Sequence, residues 1–228
     1  MKSLFIAIVL FTTLLSGVHY AKEHNYSVKI LPKHMSVKEK KKRFFALMVP
    51  AVEDAYKKLY QQYESIKQNI QEKKNLDQIN ALKKEYKVKT DQELLIALKP
   101  HPVSITLAQA AIESAWGTSR FFREANNIFG VHGLSSKGSV PASIKKNGRT
   151  VWVRKYKTLE DAILDYYRML SRVKTYKKFK KLNYEGKSVY EIVTGLKYYS
   201  ERGDEYVHSI QSVIRHNKLT KYDTKVAN

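Results

Sequence analysis

Two prolines one residue apart, Pro100 and Pro102, constrain how this chain can fold more than any other local feature. Each proline disfavours helical backbone at the residue before it, so no regular helix can run through this segment. We therefore predict the main domain boundary here. Residues 22–99 are predicted to form a linker and a helical arm, residues 100–217 the main domain, and residues 218–228 a C-terminal tail.

The arm is predicted to contain a long amphipathic helix that starts near residue 36. Its apolar side chains recur at three- and four-residue steps, which is the period of one helix face; they are Phe44, Phe45, Met48, Val52, Tyr56, Leu59, Tyr60, Tyr63 and Ile66. Pro50 is expected to kink this helix. Shorter helices are predicted over residues 76–86 and 91–98. Because the stripe is apolar, we expect residues 44–66 to pack on the main domain as a brace.

The main domain is predicted to be α+β and mainly helical. Glycines between residues 128 and 156, and the alternating pattern of residues 150–156, predict a small β-hairpin lobe. Helices are predicted on both sides of this lobe, over residues 104–116, 118–125 and 204–217 and after the capping patterns at 158–161 and 188–191.

The N-terminus carries an uncharged apolar run at residues 4–18, behind Lys2. This pattern predicts a secretory signal over residues 1–21, because the run is shorter than the about 20 residues of a membrane span. His19 stands where a signal cleavage site prefers a small residue, so an uncleaved anchor is the alternative. Both interpretations predict an exported protein of the periplasm or cell envelope.

The composition limits the partners. Lys and Arg number 42 against 21 Asp and Glu, a net charge of +21, so the expected partners are anionic. An exported protein rarely meets nucleic acid, which leaves acidic wall polymers and an anionic membrane surface. The absence of cysteine excludes disulfides and thiol chemistry, and the seven scattered histidines predict no metal site or other cofactor. A monomer is expected.

Glu113 is an isolated carboxylate, since residues 105–116 contain no other charge. Burial among apolar residues raises a carboxyl pKa, and a carboxyl that stays protonated near neutral pH can protonate a glycosidic leaving oxygen. A surface glutamate on an amphipathic helix explains the same spacing equally well. Spacing alone therefore leaves both interpretations open.

The stretch LAQAAIESAWGTSRF at residues 107–121, followed by NNIFG at residues 126–130, resembles the glucosaminidase domain of glycoside hydrolase family 73. The segment YSERGDEY at residues 199–206 lies where that family has its downstream tyrosine motif, and it resembles the Bax-type subgroup of exported proteins. The glucosaminidase resemblance covers roughly residues 100–217, and the Bax-type resemblance extends it weakly to about residue 36.

The resemblance implies a lysozyme-like fold whose groove binds alternating N-acetylglucosamine and N-acetylmuramic acid, with hydrolysis of the β-1,4 bond after N-acetylglucosamine. It implies that Glu113 is the general acid and that Tyr199 is a second catalytic residue. It also implies that the groove includes Asn126, Asn127, Phe129 and Gly130. Trp116 and Tyr198 are further substrate-binding candidates, because aromatic faces stack on sugar rings. A plain turn explains the asparagines as well, and a place in the core explains the aromatic residues.

The predicted hairpin region, residues 135–155, departs from the family pattern because it contains no acidic residue. Some family members carry a second glutamate there, and glycoside hydrolysis ordinarily uses two carboxylates. Tyr199 or the acetamido group of the substrate is then expected to supply the second catalytic group. Whether hydrolysis retains or inverts the anomeric configuration stays open. The hairpin is instead basic, which suits the carboxylates of wall peptide stems as well as a solvated surface; its cations are Lys137, Lys145, Lys146, Arg149, Arg154 and Lys155.

Two other functions compete with a glucosaminidase. A lytic transglycosylase also uses a lysozyme-like fold and one glutamate but cleaves after N-acetylmuramic acid, and the NNIFG motif argues against it. A non-catalytic basic module that binds the wall or a membrane surface is the other alternative, and the acid-free hairpin keeps it open.

Overall fold

The computed structural model describes residues 26–146 and 148–223, with the backbone alone at residues 143–146. The signal or anchor predicted over residues 1–21 lies outside these residues. None of the helices in the described part of the chain combines the length and the apolar character that a membrane span requires.

Helices dominate the described residues, and β-structure is confined to one hairpin, so the predicted α+β, mainly helical class is confirmed. The helices before the hairpin are α1 (Val37–Gln71), α2 (Leu76–Tyr86), α3 (Asp91–Leu98), α4 (Val103–Glu113) and α5 (Arg120–Ala125). The hairpin consists of β1 (Ser139–Lys146) and β2 (Arg149–Arg154). The helices after it are α6 (Leu159–Arg172), α7 (Lys177–Tyr184), α8 (Val189–Ile192) and α9 (Asp204–His216), with short 3-10 turns at Lys174–Tyr176, Val193–Leu196 and Leu219–Tyr222.

Local sequence signals account for most helix ends. Ser36 and Glu39 form a capping box at the start of α1, in which the Glu39 carboxylate accepts from the Ser36 N–H at 2.8 Å. α1 continues through Pro50 to Gln71. The helix predicted over residues 104–116 ends earlier, at Glu113, because Ala115 has left-handed backbone with φ 51°.

The chain forms two compact units, each built from two separate segments. Among the described residues, the first unit combines residues 26–53 with residues 110–163, and the second combines residues 54–109 with residues 164–223. Each unit thus contains residues from both sides of Pro100. The division into an arm and a main domain at residue 100 stays a prediction.

In the first unit, the hairpin is antiparallel, with Ser139 opposite Arg154 and a register irregularity between Pro141 and Lys145. Its core collects side chains from α1, α4, α5, β2 and α6, including Phe44, Met48, Val52, Ala110, Phe122, Ile128, Val153, Tyr156 and Ile163. Burying these apolar groups drives the unit together at roughly 25 cal/mol for each Å² removed from water.

In the second unit, the rest of α1 packs with α2 and α3 through a buried cluster that includes Tyr63, Ile66, Ile79, Leu94 and Leu98. The Asn183 side chain of α7 donates to the Lys99 carbonyl at 3.0 Å and so ties α7 to the end of α3. Gly195 lies directly against α7, since a Cβ placed there would lie 2.4 Å from the Phe179 backbone. A glycine is required at this approach.

Candidate active site

α4 carries the predicted acid at its last residue. Residues 103–111 are buried, whereas Ile112 and Glu113 are half-buried, so the helix brings a carboxylate to the edge of the core. The chain then turns through three consecutive left-handed residues, Ala115 (φ 51°), Trp116 (φ 61°) and Gly117 (φ 71°). Non-glycine residues adopt this backbone rarely, and such strain concentrates at functional sites where surrounding contacts enforce it.

Hydrogen bonds hold this strained turn in place. The Ser114 hydroxyl donates to the Ala110 carbonyl at 2.6 Å and accepts from the Gly117 N–H at 2.8 Å. The buried Arg43 guanidinium donates from Nη1 to the Gly117 carbonyl at 2.9 Å. The residues directly after Glu113 are therefore fixed both within the turn and by α1.

The Trp116 ring anchors the same turn. It lies edge-on to Phe44 and Phe45, with ring centroids 5.3 and 5.8 Å away, and the Lys41 ammonium lies 4.7 Å from its ring centroid. These are the contacts expected if α1 braces the main domain. They also show that Trp116 is at least partly a packing residue, while its predicted contact with sugar stays a prediction.

Asn126 joins α5 to the segment after the hairpin. It ends α5 in left-handed backbone with φ 50°, which asparagine tolerates better than most residues. Its side-chain amide donates to the carbonyls of Tyr156 and Lys157 at 3.0 and 2.9 Å. Asn126 therefore shapes the turn after α5, and its predicted role in substrate binding stays a prediction.

Asn127 ties the following loop to β2. Its side chain is 1% exposed, donates to the carbonyls of Val131 and Arg154 at 2.9 and 2.8 Å, and accepts from the Val131 N–H at 2.9 Å. Phe129 is buried, whereas Gly130 is exposed, has φ 69° and has open space around its Cβ position. Within this motif, the asparagines shape the loop and Gly130 faces solvent.

The downstream tyrosines lie in the second unit. Tyr199 is half-buried and stacks on the buried Tyr206, with ring centroids 5.6 Å apart and planes 4° from parallel. Tyr176 lies on another side of it at 6.2 Å. Tyr198 is 72% exposed. The motif therefore presents one tyrosine held by aromatic contacts and one open to solvent.

A buried hydrogen-bond network supports Tyr206. The Gln109 side chain of α4 donates to the Tyr206 hydroxyl at 2.9 Å and accepts from the Tyr166 hydroxyl. Gln109 is fully buried, so both ends of its amide need these partners. Gln109 was not among the predicted site residues. The signal that could have identified it is an uncharged polar side chain within the otherwise apolar stretch of residues 107–112.

His101 lies at the other end of this network. The Tyr167 hydroxyl donates to the His101 carbonyl at 3.1 Å, and the Thr106 hydroxyl donates to Tyr167 at 2.8 Å. Both hydroxyl protons are thus engaged in these hydrogen bonds, so Thr106 can only accept from His101. The distance of 3.0 Å between His101 Nε2 and Thr106 Oγ1 therefore requires a proton on Nε2. Burial lowers the pKa of His101 to about 3, so the ring is neutral at physiological pH.

The structure divides the predicted site residues between the two units. Glu113, Trp116, Asn126, Asn127, Phe129 and Gly130 belong to the first unit, and Tyr198 and Tyr199 belong to the second. Among the residues that the structure describes, no group of three or more histidine and acidic side chains is arranged to hold a metal ion.

Comparisons with known proteins point to one family. The family model described as mannosyl-glycoprotein endo-beta-N-acetylglucosaminidase matches residues 88–219, more than half of the chain. The exo-glucosaminidase LytG of Bacillus subtilis (strain 168) is 32% identical over 130 residues, which are 53% of this chain and 45% of LytG. The chain thus spans about half the length of that curated relative.

Among solved structures, the catalytic domain of the autolysin Auto from Listeria monocytogenes resembles this chain. The two share a TM-score of 0.53 at 17% identity, and the match covers 89% of this chain and 96% of that domain. At this identity the similarity concerns the fold.

Proposed function

Because this chain belongs to the glucosaminidase family of glycoside hydrolases, we propose that it hydrolyses the glycan strands of peptidoglycan at the β-1,4 bond after N-acetylglucosamine. The family, the enzyme class and the lysozyme-like fold are those that the sequence motifs predicted. The name of LytG, an exo-glucosaminidase, supports cleavage after N-acetylglucosamine, whereas the similarity to Auto supports the fold alone.

One observation carries the proposal: a single carboxylate stands at the end of a buried helix, before a strained turn. In the proposed reaction, Glu113 gives its proton to the leaving oxygen as the glycosidic bond breaks, and a water molecule supplies a hydroxyl group to the anomeric carbon. The remaining proton of that water restores the acid. The hydrogen-bonded turn from Ser114 to Gly117 would fix the backbone that follows Glu113 throughout.

We propose two candidates for the second catalytic group, which acts together with Glu113. The Tyr199 hydroxyl can orient the water or stabilise the positive charge that develops on the sugar ring, and the substrate's own acetamido oxygen can attack the anomeric carbon. The stacking of Tyr199 on Tyr206 supports a positioned hydroxyl. A Tyr199→Phe variant separates the candidates, because substrate-assisted attack would retain most of the activity.

The sugar-binding surface is proposed to include the loop of residues 126–130. Asn126 and Asn127 would act by shaping this loop, and exposed Gly130 would leave room for a sugar ring. Phe129, Trp116 and Tyr198 are proposed as further substrate-binding residues. Tyr198 offers the most exposed aromatic face of the three.

The proposed place of action is the cell envelope, reached by export through residues 1–21. The net charge of +21 supports anionic partners there, namely the wall and an anionic membrane surface. Because an exported protein rarely meets nucleic acid, no nucleic-acid partner is proposed, and the protein is proposed to be a monomer. The Bax-type assignment belongs to the same proposal.

The test is digestion of purified peptidoglycan by the parent protein and by Glu113→Gln, with the product ends identified by mass spectrometry. Glu185→Gln is the matched control, because Glu185 is an exposed carboxylate paired with Lys181 at 3.7 Å. Reducing N-acetylglucosamine ends from the parent and the control, with at least a hundredfold loss in folded Glu113→Gln, would support the proposal. Anhydro-muramic ends would instead indicate a transglycosylase, and binding without cleavage by the parent would indicate a wall-binding module.

A further inference from the structure

The first unit contains a cavity of about 600 Å³ beside the hairpin, hereafter the basic cavity. Its walls include Lys29 from the segment before α1, Arg123 from α5, Lys155 at the end of the hairpin and Lys157 just after it. A volume of this size falls in the range of small-ligand sites. The basic cavity can therefore hold a ligand group larger than a single ion.

The charges in the basic cavity are unbalanced. Glu124 is its single acidic wall residue, and its carboxylate already accepts from Arg120 at 3.2 Å. The four cations form no ion pair among the residues that the structure describes. Four like charges around one recess repel one another and attract an anion.

Arg123 provides a second, independent indication. Its Nε is buried and has no hydrogen-bond partner within the described chain. A buried donor without an acceptor is unfavourable, and a planar carboxylate is the group that a guanidinium binds through two parallel hydrogen bonds. Because Arg123 also lines the basic cavity, its guanidinium adds an uncompensated positive charge to the wall.

The wall of the basic cavity is also held in place before any ligand binds. Arg43 donates from Nη2 to the carbonyls of Ser27 and Val28 at 2.6 and 3.1 Å, which fixes the segment that carries Lys29. Burial and the nearby charge of Arg123 both lower the pKa of Arg43, so the two guanidinium groups interact unfavourably. An anion between the cations would relieve this repulsion.

We propose that the basic cavity binds the carboxylates of peptide stems on the glycan strand, an inference that rests on the proposed function. The substrate proposed above carries such carboxylates at regular intervals, so a stem bound there would hold the strand while the glycan is cut. The basic cavity is then a specificity site for peptide-bearing strands.

The test compares intact peptidoglycan fragments with peptide-free glycan strands made by removing the stems with an amidase. The variant is Lys155→Gln/Lys157→Gln, which removes two exposed cations and leaves the half-buried Arg123 in place. Lys178→Gln/Lys187→Gln makes the same charge change at exposed positions of the second unit and is the matched control. We expect KM for intact fragments to rise about fivefold in the first variant alone, with kcat unchanged and no change on peptide-free strands.

Equal losses on both substrates, or an equal loss in the control, would overturn the proposal, because the cations would then act only through net charge. Calorimetric titration with an isolated stem pentapeptide tests the site without any cleavage, and parent-level binding by Glu113→Gln with weaker binding by the lysine variant would support it. Because this titration requires no cleavage, it tests stem binding by the basic cavity independently of the proposed hydrolase activity. Tighter binding of a glycerol-phosphate polymer than of the pentapeptide would replace the stem by a phosphate ligand and overturn the assignment.

Discussion

Acidification from pH 7 to pH 4 should destabilise this protein through one buried side chain, His101. The ring is 3% exposed, and burial lowers its pKa from 6.5 to about 3, so it stays neutral in the folded protein over this range. In the unfolded chain the same ring takes up a proton below about pH 6.5. Because only the unfolded chain takes up this proton, acidification favours unfolding. The stability that the neutral His101 ring contributes is therefore fully present above pH 6.5 and is lost as the pH falls toward 3.

The magnitude follows from the separation of the two pKa values. Each pH unit below 6.5 removes about 1.4 kcal/mol, so His101 alone should cost about 3 kcal/mol of unfolding free energy at pH 4. For a chain of this size that loss corresponds to a decrease in Tm of roughly 6–12 °C. Other groups also titrate here: hydrogen bonds in a capping box lower the pKa of Glu93, whereas burial raises the pKa of Asp223. A variant is therefore needed to isolate His101.

Urea unfolding at pH 7 and pH 4 would compare the parent, His101→Gln and His208→Gln, where His208 is exposed on α9. The parent and His208→Gln should lose the same free energy on acidification, and His101→Gln should lose about 3 kcal/mol less. Removing the ring also removes its stacking on Tyr167 at 4.2 Å, so only the change with pH is diagnostic. An equal loss in His101→Gln, or a folded-state NMR titration of His101 near pH 6.5, would refute the reasoning.

Three other substitutions probe individual hydrogen bonds and packing contacts of the fold. Arg43→Met should lower the unfolding free energy by about 3 kcal/mol in urea titrations, because it leaves buried backbone carbonyls without their donor. Gly195→Ala should cost about 3 kcal/mol or more by the same measurement, since its Cβ would clash with the Phe179 backbone. Asn127→Ala should cost about 2 kcal/mol and speed hydrogen exchange at the Val131 N–H; unchanged exchange there would argue against its role in the loop.

Much of the fold was predictable because its signals are local. The helices predicted over residues 76–86 and 91–98 have those bounds in the structure, since periodicity and caps act within a few residues. The hairpin was predicted for the same reason. The end of α4 could not be predicted in this way, because the left-handed backbone at Ala115 and Trp116 depends on contacts from outside the segment.

The candidate site shows the same division. Glu113 is conspicuous in the sequence as a lone charge, and the NNIFG and tyrosine motifs predicted the family that the family model confirms. Sequence could not decide between a turn and a sugar contact for Asn126 and Asn127, because their partners lie about 30 residues away along the chain. Their roles in substrate binding stay predictions.

The sequence by itself predicted the helical class, the hairpin, the family and Glu113 as the candidate acid, because the signals for each lie in residues close together along the chain. Only the tertiary structure decided what surrounds them. Arg43 meets Gly117 across 74 residues, and Gln109 meets Tyr206 across 97. Such pairs leave no periodic pattern, since a buried polar group needs a partner in space and not at any fixed distance along the chain.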